Sequence, residues 1–89
     1  MDIEELKRRA VNLEQELFSA ANESPDVAAF AKYEPLLSAI RRAKAGEITK
    51  TEEIPGMHYW HFETGIFWKF KAMAEAFAKF DLLLKGLER

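Results

Sequence analysis

His58, His61 and Glu63 are the residues of this chain whose types and spacing come nearest to a metal site. Two imidazoles three positions apart can share one face of a helix, and a carboxylate close by is a third oxygen or nitrogen donor. The set still lacks the fourth ligand that a closed zinc site uses, and with no cysteine in the chain a thiolate cannot supply it. Packing or plain exposure accounts for these histidines as well, and no metal or other cofactor is expected. Glu52 and Glu53 are adjacent carboxylates, the type of pair that general acid–base work uses, but in a polar loop they read as solvated charge. Ser38 falls inside a helical run, with no base spaced to activate it. Arg41, Arg42 and Lys44, with Lys32 nearby, make a small basic cluster in a chain of net charge −2, which gives no basic excess for nucleic acid. These readings together point away from an enzyme.

What remains is recognition by surface. The stretch His58-Tyr59-Trp60-His61-Phe62 places three large aromatic rings within four positions, and neither a helix nor a strand can turn all of them to one core. Exposed Trp and Tyr bury much area on contact and keep a polar atom for a hydrogen bond. With Glu52 and Glu53 beside them, Tyr59, Trp60, His61, Phe62 and Trp68 are the expected partner-binding residues, forming an acidic, aromatic surface suited to a basic partner.

The elements that must position these residues are helical. Asp2 reads as the N-cap of a first helix over residues 2–22, with Glu5 placed for a capping box. Ile3, Leu6, Ala10, Leu13 and Leu17 form its apolar stripe, which Val11 and Phe18 are expected to widen. Ser24 and Pro25 are an N-cap and a first helical residue; the second helical region runs to about Ala45, and Gly46 closes it. Pro35 predicts a kink or break near 33–35, with Leu36, Leu37 and Ile40 inward beyond it. Residues 47–56 form a loop ending in a Pro-Gly turn. From Thr64, a plausible N-cap, the spacing of Ile66, Phe70, Met73, Phe77, Phe80 and Leu84 predicts one long C-terminal helix. Residues 57–63 before it are either an extra helical turn or an extended segment. Trp68 falls off that stripe, near Ala72, Ala76 and Leu83, and these four outline a second apolar strip that is a candidate homodimer seam. Asp81 falls on the core stripe, where a carboxylate needs solvent or a partner.

The expected fold is therefore all-α, a small three- or four-helix bundle with a long C-terminal aromatic-rich helix, in one domain over 1–89. The charged N-terminal stretch has no apolar segment of signal-peptide type, and the apolar runs are too short to span a membrane, so a cytoplasmic location is expected.

At Tyr33-Glu34-Pro35-Leu36-Leu37-Ser38-Ala39 the chain resembles small α-helical immunity proteins of type VI secretion systems, the group that neutralises NAD(P)-degrading toxins. The likeness lies in the Tyr-Glu pair and the Leu-Leu-Ser-Ala run following a first helix of similar length; Pro35 departs from the apolar residue expected there. The resemblance implies a bacterial antitoxin that binds a cognate toxin stoichiometrically and needs no chemistry of its own. The alternative is a helical adaptor or homodimeric interaction domain.

Overall fold

Asp2 does cap the first helix: its carboxylate accepts the Glu5 backbone N–H at 3.0 Å, and α1 runs from Ile3–Ala21. The reciprocal arm of the capping box is replaced, because the Glu5 carboxylate turns along the helix to Arg8 and Arg9. In the computed structural model, which describes residues 1–87, the chain continues as α2 (Pro25–Ala31), α3 (Glu34–Lys44), α4 (Met57–Phe62), α5 (Ile66–Lys69) and α6 (Lys71–Leu84), with no strand among the described residues. The last two residues of the expected 1–89 domain lie outside the described ones. The fold is all-α. Its Cα radius of gyration, 12.2 Å, matches the ~12 Å of a well-packed chain of this length.

Helix α1 is the hub and packs on α2, α3 and α6. Its stripe Leu6, Ala10, Leu13, Leu17 and Ala20 is buried. Val11 and Phe18 do not widen it: Val11 is an exposed residue and Phe18 stands 75% exposed on the outward face. The helix is wrapped by neighbours over a narrower arc than the wheel allowed. Ser24 caps α2 through the Val27 N–H at 3.3 Å, and Pro25 occupies its first turn. The break expected near Pro35 falls at Lys32–Tyr33, so the proline sits harmlessly in the first turn of α3. Leu36 and Ile40 are buried and Leu37 is half-buried.

The long C-terminal helix starts at Ile66, within the expected bounds, and is interrupted once, at Phe70. Gly65, at φ +71°, is the N-cap of α5 in the left-handed region, one residue later than Thr64, whose hydroxyl accepts the Ile66 N–H at 3.4 Å and donates to the Trp60 carbonyl at 2.8 Å. Phe70, at φ −120° and ψ 80°, separates α5 from α6. Apolar periodicity records only which side chains face inward, and two helices meeting at an angle satisfy it as well as one straight helix. Ile66, Met73, Phe77, Phe80 and Leu84 are indeed buried, while Phe70 and Phe67 pack at the edge of the core. Residues 57–62 are helical. The strip of Trp68, Ala72, Ala76 and Leu83 does not form: Ala76 is in the core and Leu83 packs against it, leaving Trp68 and Ala72 exposed. The bend at Phe70 takes Trp68 out of the helical register of α6. Asp81 finds Lys85 at 2.8 Å, which answers the carboxylate on the core stripe.

Candidate functional site

The loop 47–56 positions everything that follows it, and it is strapped down rather than free. Ile48 and Ile54 are buried in the core. Between them the Glu52 carboxylate receives two bonds from the Arg42 guanidinium, at 2.6 and 2.9 Å, and the Glu52 backbone N–H donates to the Leu84 carbonyl at 3.0 Å. Arg42 is itself steadied by the Ser38 hydroxyl at 3.1 Å. The fork-on-carboxylate geometry holds the Glu52 carboxyl below the usual carboxylate range and raises the Arg42 guanidinium, against a smaller opposing effect of burial. At the far end of the loop the Tyr33 hydroxyl donates to the Pro55 carbonyl at 2.7 Å. Gly56 follows at φ +76°; a Cβ there would lie 2.0 Å from the Tyr33 hydroxyl oxygen, so only glycine fits.

Helix α4 then enters with one residue in the core. Trp60 is 9% exposed and packs on Phe30 and Tyr33, with ring centroids 5.0 and 5.6 Å away. Its neighbours point outward: Tyr59 is 56% exposed and Phe62 73%. From the core a continuous chain of rings reaches the surface. Phe30 and Phe77 both contact Phe67; His61 stacks on Phe67 at 4.5 Å and 24°; and Phe62 lies against His61 and, at 4.7 Å, against His58. After the Glu63–Gly65 turn, α5 buries Ile66 and leaves Trp68 83% exposed, more than any other large apolar side chain among the described residues. The wall of this surface is therefore built inward on Phe30 and outward on Phe62, Tyr59 and Trp68.

The expected site divides accordingly. Tyr59, His61, Phe62 and Trp68 are placed on the exposed side of α4 and α5. Trp60 belongs to the core beneath them. Glu52 is engaged by Arg42, and Glu52 and Glu53 line a cleft with Thr51, Lys85 and Leu87 at the end of α6. The charges that flank the exposed rings in sequence are Glu63 and Lys69, one of each sign, and neither makes an ion pair among the described residues. His58 and His61 gather no third metal-ligating side chain among the described residues. They serve as rings: the i, i+4 spacing of His58 and Phe62 carried that signal, and the metal reading overlooked it. Tyr33 was also missed as a positioning residue. Nothing in its local sequence announces a bond to a carbonyl twenty-two residues on. Among the described residues no helix is long and apolar enough to cross a membrane. Comparison with protein-family models, curated proteins and solved structures gave no match.

Proposed function

We propose that this chain is a stoichiometric binding protein of the immunity class, one that neutralises a cognate bacterial toxin by docking on it through the exposed face of α4 and α5. A single observation carries the reading: Tyr59, Phe62 and Trp68 stand outward on a strapped, core-anchored support. Summed over the three residues, roughly 450 Å² of mostly apolar ring surface is open, and exposed Trp, Tyr and Phe are the residue types enriched at interaction sites. Pre-ordering by the strap lowers the conformational cost of association. The resemblance over Tyr33–Ala39 supplies the class of partner, and the mode of action is occlusion of the toxin with no reaction carried out by the binder.

Co-expression with the product of the neighbouring gene tests the reading. A one-to-one complex that co-purifies, protects the host cell, and loses at least tenfold in affinity on Phe62→Ala with Trp68→Ala is the expected outcome. A neighbour that encodes no toxic domain, together with no protection on expression, overturns it.

A further inference from the structure

The polar ties of this chain stop at one end of the ring-bearing segment and resume only well beyond the other. Before it, the loop is held by Arg42 on Glu52, by the Glu52 N–H on the Leu84 carbonyl and by the Tyr33 hydroxyl on the Pro55 carbonyl. After it, the Arg9 guanidinium donates to the Lys79 carbonyl at 2.9 Å and joins α6 to α1. Among the described residues, no hydrogen bond or ion pair links residues 57–69 to another element, apart from the Phe70 N–H that closes α5 on the Ile66 carbonyl. Side-chain burial alone holds the segment down: Trp60 against Phe30 and Tyr33, Ile66 in the core, and Phe67 against Phe30 and Phe77.

We propose that residues 57–69 form a lid that opens as a single unit, turning on Gly56 and Phe70, while α1, α2, α3 and α6 stay folded. Both pivots already break the helical path: Gly56 lies at φ +76°, and Phe70 at φ −120° and ψ 80°. Helices of six and four residues do not persist away from each other and the core. The two are also joined to one another. The His61 ring stacks on Phe67 at 4.5 Å, and the Thr64 hydroxyl holds the Trp60 carbonyl at 2.8 Å as the chain turns between them. Release of Ile66 from the core therefore releases Trp60, and the reverse.

Opening gives up the burial of a few apolar side chains and recovers the backbone freedom of the segment. It breaks no polar tie to the rest of the chain, and the tethers on either side stay made. The lid is therefore drawn from the low-stability end of the molecule, well below the cost of unfolding α1. What it uncovers is aromatic: Phe30 and Phe77, 0% and 2% exposed when closed, lose the cover of Trp60 and Phe67. The inference does not depend on what binds the outward rings.

Native-state hydrogen exchange of the full chain, followed by NMR over a denaturant series below the unfolding transition, tests it. Amides of α4 and α5 are expected to share one opening equilibrium, roughly 10–1,000-fold more populated than the one that frees α1. Its denaturant dependence should be above zero and below about half that of α1, as the surface exposed by a lid requires. Ile66→Val should raise the exchange of α4 amides as much as that of α5 amides, by about 3–10-fold. Leu6 lies at the end of α6 opposite Phe70, where Glu5 and Arg9 meet Leu83 and Gly86, and that site stays packed when the lid is open. Leu6→Val should thus raise α1 exchange by about 3–10-fold and leave α4 and α5 within about twofold. One equilibrium and one slope shared by α4, α5 and α1 overturns the proposal, since the segment then opens only with the whole chain. Exchange of α4 and α5 that ignores denaturant or follows separate slopes overturns it too, as does an effect of Ile66→Val confined to α5.

Discussion

Trp60 and Trp68 are eight residues apart, and their side chains do opposite work. Trp60 fills the space between Phe30 and Tyr33. Removing it leaves a cavity as well as lost contacts, so Trp60→Ala should cost about 3–5 kcal/mol, read by chemical denaturation. Trp68→Ala removes a ring that is 83% exposed and should change stability by less than about 0.5 kcal/mol in the same experiment. The off-stripe position of Trp68 was legible from spacing alone. The inward turn of Trp60 was not, because the phase of a six-residue helix cannot be fixed by three consecutive bulky residues. Charge acts at this scale too. Arg42 holds the Glu52 carboxyl below its ordinary value. Its contribution is then present above the unfolded carboxylate value and lost as pH falls through the folded one. The pair is about one-third exposed, so the effect at neutral pH is roughly 0.5–1 kcal/mol after solvent screening. Glu52→Gln should remove that much at pH 7 and progressively less as pH falls through the folded value of the wild-type carboxyl, read by chemical denaturation at a series of pH values. Glu5, brought down to about 2 by hydrogen bonds from Arg8 and then Arg9, keeps its charge further into acid than an ordinary glutamate.

Helices α4 and α5 are too short to persist alone, and neither has a side-chain N-cap. Their order comes from Trp60 and Ile66 in the core and from the strap before them. Backbone amides of 57–69 should therefore exchange with deuterium at least tenfold faster than those of the buried turns of α1. Tyr33→Phe, which deletes only the hydroxyl bonded to the Pro55 carbonyl, should raise the exchange of 50–60 further while leaving α1 unchanged. Gly56→Ala is harsher: it forces a Cβ into the left-handed region and into the Tyr33 hydroxyl, and should destabilise by about 2 kcal/mol or more by thermal melting. The elements up to Gly46 could be read from capping residues and Pro35 because those signals are local. The split of the last helical region could not. Phe70 keeps its place in the apolar rhythm, and only the direction of the chain after it changes.

At the scale of the molecule, one apolar core joins α1, α2, α3 and α6, and among the described residues it contains no buried polar or charged one. Specificity of packing must then come from shape, and Phe30 is its centre, touching Trp60, Phe67 and Phe77. Domains of this size have about 5–10 kcal/mol in hand. Phe30→Ala, at about 3–5 kcal/mol, should leave the chain partly unfolded near 37 °C, seen as a lowered and broadened melt. The all-helical class and most of this core were legible in the apolar spacing. The narrowness of the α1 face was not, since exposure of Val11 and Phe18 depends on how far neighbouring helices reach around it.

The bend at Phe70 has a consequence for how such a chain can change over time. It places the rings that face outward on a segment whose register is independent of α6, so a substitution at Tyr59, Phe62 or Trp68 need not disturb the helix that packs on α1. Recognition and folding are then separately adjustable. A lineage could revise what this face binds, ring by ring, while inheriting the same scaffold intact.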